Sequence, residues 1–124
     1  NYSLKINPHD LAITKSMIKI NDGEFKNKLD LYKYTSNKEI SLKIKYRKEC
    51  EVYIKNIDEI LEKQEYLLSN KFGYLDIAIF PFIRQFFNVD LKWFEEASYI
   101  NLKNWVERIS GSDLFIKIMK KPET

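Results

Sequence analysis

The side chains of this 124-residue chain that first invite a chemical reading are its one cysteine, its one histidine and the carboxylate of Asp76, and they form no independent catalytic constellation. A cysteine acts as a nucleophile through its thiolate, which needs a nearby cation or imidazole to form at neutral pH. Cys50 has no histidine at helical spacing and shares a stripe with Tyr53 and Ile57, so it reads as a buried structural residue. His9 falls in a first helical turn and reads as a surface residue. A lone cysteine cannot close an internal disulfide, and Cys50 with His9 makes no plausible zinc site. A reducing compartment and no structural metal are therefore expected. Asp76 stands three residues after Gly73, the spacing at which a carboxylate folds back onto the free amides of a helix start. Gly73 and Asp76 are assigned as a structural helix cap, and no residue is assigned a catalytic role.

Five further side chains stand out: Phe25, Tyr32, Tyr34, Arg84 and Trp93. The plain reading of all of them is core and surface packing. Arg84 lies in an otherwise apolar run, and an isolated buried charge is too costly to keep. It must have a paired acid, a hydrogen-bonding network or a route to solvent, and a structural ion pair is preferred over a ligand contact.

The elements that must position these residues are helices. Phe72 to Phe87, FGYLDIAIFPFIRQFF, combines a helix start, a dense apolar run and an interior proline. Such a helix is wrapped by protein on most sides, and Pro81 predicts a kink near Ile77 to Pro81. Asn7 followed by Pro8 starts an earlier helix, which the Asn21-Asp22-Gly23 turn interrupts or bends. Phe25, Leu29 and Tyr32 continue at helical spacing until Thr35-Ser36-Asn37 stops them. Ser36 with Glu39 forms a capping box for the longest helix, Asn37 to about Lys63, whose inner stripe is Tyr46, Cys50, Tyr53, Ile57 and Ile60. Short helices are predicted at Leu91 to Glu96, Leu102 to Ile109 with Trp105 inward, and Leu114 to Lys120. Only 3 Gly and 3 Pro occur and no alternation of apolar and polar residues is sustained, so strands have little support. The expected fold is all-α, a helical bundle in one domain over residues 1–124.

Composition excludes several classes. With 44% hydrophobic and 15% aromatic residues the chain is not disordered but packs a core with a tyrosine-rich margin. Its net charge of +3 is spread among alternating acids and bases, a solvated surface and not a nucleic-acid footprint. No apolar run approaches the roughly 20 residues of a membrane span and no signal-peptide pattern opens the chain. A cytoplasmic protein without a nucleic-acid or membrane partner is expected. The first residue is Asn1, not Met, so a fragment or a trimmed chain is expected.

Gly73-Tyr74-Leu75-Asp76-Ile77-Ala78-Ile79-Phe80-Pro81 resembles the opening of the core helix in the C-terminal helical domain of glutathione transferases, where a Ser or Thr, two spacers and an Asp precede an Ile-Ala-rich segment. Further pieces resemble a bacterial subgroup of that family, in the same order along the chain: Asn21 to Lys26, Leu29 to Tyr34, Phe80 to Phe86, Trp93-Phe94, Leu102 to Trp105 and Leu114 to Met119. Gly73 departs from the family's hydroxyl residue, so Asp76 lacks a reciprocal partner. The resemblance implies that Phe25, Tyr32, Tyr34, Arg84 and Trp93 line the pocket for a hydrophobic electrophile and that the domain contributes to a homodimer interface. It also implies that glutathione, the co-substrate, binds a separate N-terminal thioredoxin-like domain, of which no element is visible in this chain. That domain would carry the activating Ser, Tyr or Cys of a conjugating or thiol-exchange enzyme. The chain alone is then expected to hold no cofactor and to be inactive. The alternative is a non-catalytic interaction module, a use to which similar helical domains are put in larger assemblies.

Overall fold

The computed structural model describes residues 7–112, and the predicted helix Leu114 to Lys120 lies outside them. Among the described residues the chain forms six α-helices and no strand. They are α1 (Pro8–Ile20), α2 (Lys26–Tyr34), α3 (Ile40–Lys63), α4 (Tyr74–Val89), α5 (Leu91–Glu96) and α6 (Ile100–Ser110), with a π-helical turn, Asn21–Phe25, between α1 and α2.

The first helix starts where the sequence places it. Asn7 Oδ1 accepts the Asp10 amide at 2.8 Å, and Pro8 occupies a first-turn position whose missing N–H costs nothing. The Asn21-Asp22-Gly23 segment, in contrast, forms no reverse turn. Helical dihedrals run through it, and the Lys26 amide reaches back to the Asn21 carbonyl, so α1, the π turn and α2 make one rod. The wide turn rephases the buried face, placing Asn21, Phe25, Leu29 and Tyr32 all inward. Local turn propensity loses here to the burial of Phe25, a side chain worth about 1.5–3 kcal/mol when removed from water.

Thr35 ends the rod, as expected, with its hydroxyl donating to the Leu31 carbonyl at 2.6 Å. The next helix begins at Ile40 and not at Asn37, because Ser36 is used differently. Its Oγ accepts the Lys38 amide at 3.1 Å, a local turn that competes with the capping box. In α3 the fully buried residues are Cys50, Ile54, Ile57 and Leu61, while Tyr46, Tyr53 and Ile60 are half-buried. The inner face is thus rotated slightly from the predicted stripe. A compact loop follows, held by Gln64 donating to the Leu67 carbonyl and by Asn70 accepting the Glu65 amide.

The central helix α4 runs through Pro81 from Tyr74 to Val89. Its Leu75, Ile79, Ile83 and Phe86 form one inward line, with Asp76 and Phe80 beside it. A polar edge of Arg84, Gln85 and Asn88 stays exposed. Asp90 closes α4 and caps α5 by accepting the Trp93 amide at 3.1 Å. Helix α6 brings Leu102, Trp105, Val106 and Ile109 into the core. Its first turn is capped from across the bundle, since Asp58 of α3 accepts the Leu102 amide at 2.8 Å.

Candidate functional site

Asp76 is the most elaborately bonded side chain of the interior. Its Oδ2 accepts the Gly73 amide at 2.9 Å, the local half of a capping box that glycine cannot complete. Its Oδ1 accepts the Leu67 amide and the Trp105 indole N–H, each at 2.9 Å. One carboxylate therefore ties the start of α4 to the preceding loop and to α6. Burial pushes its pKa up, and hydrogen bonds from Trp105 and from the backbone amides of Leu67, Gly73 and Asp76 itself pull it back. With every contact an N–H donor, the carboxylate acts as a structural acceptor and has no substrate-facing oxygen.

An aromatic cluster surrounds Phe86. Ring centroids lie 6.5 Å away for Phe25, 5.5 Å for Tyr32, 6.1 Å for Trp93 and 6.4 Å for Phe94. Three of the five residues expected to line a pocket, Phe25, Tyr32 and Trp93, thus meet at one point. Phe25 and Tyr32 are each only 2% exposed, so most of their surface is spent on the core. Trp93 is half-buried, and the Arg47 guanidinium lies 4.2 Å above its ring. Arg47 also sits 3.5 Å from Glu51, whose other oxygen accepts the Tyr99 hydroxyl at 2.5 Å. Tyr34 and Arg84 are not brought to this cluster. Tyr34 is exposed at the end of α2, and Arg84 takes the solvent route, with no ion pair among the described residues.

Beside the cluster, a groove of about 530 Å³ opens between the α1–π–α2 rod and α3. Its volume falls in the range of small-molecule sites. Met17, Ile20, Phe25, Val52 and Tyr53 supply its apolar wall, and Glu24, Lys28, Glu49, Lys55, Asn56 and Glu59 supply the rest. Tyr53 stacks on Phe25 at 4.3 Å and donates its hydroxyl to Asn21 Oδ1 at 3.0 Å, which fixes the ring at the groove floor. This pairing is not legible in the sequence. Asn21 is a buried polar residue inside a π turn, and nothing in the Asn-Asp-Gly pattern announces that conformation. The place of Tyr53 on the inner stripe of α3 is the one legible hint, because a tyrosine there presents its ring inward and needs a partner for its hydroxyl.

Burial raises the pKa of five side chains among the described residues, Asp76, Cys50, Tyr32, Tyr53 and Tyr99. Cys50 is fully buried, as expected, and burial pushes its thiol up to about 12. Burial also raises Tyr32 to about 12, against the opposing pull of Arg47. Tyr53 is raised by burial, and Tyr99 by burial and by its bond to Glu51. Among the described residues no group of three or more His, Cys, Asp or Glu could hold a metal ion. No helix among them is long and apolar enough to cross a membrane.

A buried Asp-capped core helix, a long α3 packed on a jointed first rod and a groove with one apolar wall between them accompany a family match to the helical domain of glutathione transferases. The family described as glutathione S-transferase, C-terminal domain, matches residues 11–113, and the chain belongs to it. Over 75 residues, 60% of this chain, it is 33% identical to glutathione S-transferase GstB of Escherichia coli K12, and equally to the GstB of E. coli O6:H1 strain CFT073. That segment spans 35% of the length of each relative. No solved structure gives a significant match.

Proposed function

We propose that this chain is the C-terminal helical half of a glutathione transferase-like enzyme, and that its groove between the first rod and α3 shapes the site for a hydrophobic electrophile. The observation that carries the reading is the family match over residues 11–113. The groove supports it, being apolar on one wall and adjacent to the cluster that holds Phe25, Tyr32 and Trp93. Glutathione would be held and its thiol activated by a thioredoxin-like domain outside this chain, because lowering a thiol pKa needs positioned donors. Cys50, raised and buried, is no substitute. A homodimer and a cytoplasmic location belong to the same reading. The reaction is conjugation of the thiol to an electrophile or glutathione-dependent thiol exchange.

The test is to assay the full-length protein and residues 1–124 side by side with glutathione and a chromogenic electrophile. Turnover by the first and a buffer rate for the second are expected. An inactive full-length protein whose remaining sequence has no thioredoxin-like pattern would remove the enzyme reading.

A second reading, a non-catalytic interaction module, is favoured by one observation. Tyr34 is 73% exposed and Leu31 46%, side by side at a shallow hollow lined also by Asn27, Asp30 and Thr35. Stoichiometric capture of one identified protein, abolished by Tyr34→Ala, together with no retention on immobilised glutathione, would establish it.

A further inference from the structure

The charges of the groove are arranged unevenly. Three carboxylates, Glu24, Glu49 and Glu59, stand against two ammonium groups, Lys28 and Lys55. Lys28 is 3.6 Å from Glu24, so one pair is internally neutralised. Among the described residues Glu49 and Glu59 have no ion pair. They lie on α3 roughly 15 Å apart at the α-helical rise, on either side of Val52 and Tyr53. Val52 is 73% exposed and Ile20 43%, which leaves an uncovered apolar surface between the two carboxylates. The Tyr53 ring is held by its stacking on Phe25 and its bond to Asn21, so a π-face or edge is presented without further ordering.

We propose that this groove selects an amphipathic cation, a flat apolar or aromatic body carrying a protonated amine or quaternary ammonium group. The proposal rests on the groove being the second-substrate site and names the chemical class of that substrate. The apolar body covers Ile20, Val52 and the Tyr53 edge, and the positive group meets Glu49 or Glu59. An anion of the same size would meet Glu24, Glu49 and Glu59 with Lys28 and Lys55 in compensation, a net single negative charge along the groove. Solvent-exposed pairs are individually modest, so the selectivity is a preference of a few-fold and is screened by salt.

The experiment uses the full-length protein and two fluorescent probes of comparable size, the cation thioflavin T and the anion 1-anilinonaphthalene-8-sulfonate, titrated without glutathione. At low salt the cation is expected to bind about 3- to 10-fold more tightly, with the ratio shrinking toward one at high salt. Glu49→Gln with Glu59→Gln should erase the preference, and Val52→Arg, at a position open enough to accept it, should weaken the cation specifically. Equal binding of the two probes, or a preference that survives the double replacement, would overturn the proposal. So would cation binding that disappears as the protein self-associates, since a second copy would then occupy the groove. Conjugation of an uncharged electrophile separates the two readings. Turnover without cation preference removes only this inference, whereas cation preference without any turnover removes the enzyme reading and leaves a binding groove.

Discussion

Replacing Asp76 tests whether its three hydrogen bonds are the reason the loop, α4 and α6 hold together. As a simple helix cap the residue would contribute about 1 kcal/mol, the usual cost of removing a cap. As a three-way acceptor it should contribute more. Asp76→Ala strands the Leu67 amide and the Trp105 indole N–H inside the protein and frees the Gly73 amide. Unsatisfied buried donors cost about 1–3 kcal/mol each, partly offset because the buried charge disappears too. A loss of about 3–5 kcal/mol follows, a large fraction of the roughly 5–15 kcal/mol that holds a domain folded. Asp76→Asn is the finer probe. Its carbonyl oxygen can still accept from Leu67 and Trp105, but its amide then points N–H groups at the Gly73 amide. The cost should be about 1–3 kcal/mol, clearly between wild type and the alanine variant.

The assay is urea unfolding followed by tryptophan fluorescence, with Trp105 reporting the core and far-ultraviolet circular dichroism reporting helix. Combining Asp76→Asn with Trp105→Phe, followed by circular dichroism alone, should give a loss smaller than the sum, because the two residues share a bond. If Asp76→Ala cost only about 1 kcal/mol, the Leu67 and Trp105 bonds would be incidental and the residue a plain cap. If the asparagine and alanine variants were equally unstable, the assignment of the two oxygens would be wrong.

Other outcomes are equally specific. Gly73→Ser should stabilise the domain by about 0.5–1 kcal/mol, by completing the capping box and restricting the unfolded chain; at Gly73 a Cβ would meet nothing closer than 4.0 Å, and a denaturation midpoint that fell would refute it. Tyr53→Phe removes the donor to buried Asn21 and should cost about 1–2 kcal/mol, with faster amide exchange confined to residues 21–25 as the check. For Cys50 the folded pKa is raised, to about 12, so its contribution is intact below the unfolded thiol value and is lost as pH climbs toward the folded one. Between about pH 9 and 10 stability should fall with a slope approaching 1.4 kcal/mol per pH unit, and that early slope should be absent in Cys50→Ala.

How far the sequence could be read depends on the distance over which each feature is decided. Helix starts at Pro8 and Tyr74, the stop at Thr35 and the short helix Leu91–Glu96 follow from neighbours within a turn, and the structure places them as read. The Gly73–Asp76 spacing belongs to this class. What Asp76 does with its other oxygen does not, because Leu67 lies nine residues away and Trp105 twenty-nine. The Asn-Asp-Gly segment shows the reverse failure. Every residue in it favours a turn, but burying Asn21 and Phe25 on one face required the chain to stay helical, and a π turn met both demands. Ser36 had two local uses of similar energy, a cap or a turn, and the sequence does not choose between them.

The candidate site was harder to read for a physical reason. An apolar ligand pocket and a protein core draw on the same aromatic side chains at the same helical spacing, so residue type alone cannot separate them. Phe25 belongs to both: its ring is nearly all core, yet its edge and the Tyr53 stacked on it floor the groove. Tyr32, equally aromatic and two turns further on, is buried against Phe86, with the Lys43 ammonium 6.0 Å from its ring centroid. The difference lies in α3, where Glu49, Val52 and Glu59 turn one stretch of that contact into an open, charged-rimmed surface. A search for pockets in such sequences therefore gains more from apolar residues with high exposure next to unpaired charges than from aromatic residues as such. Val52, unremarked as a lone valine on a charged face, marks the groove better than any of the aromatic side chains around it.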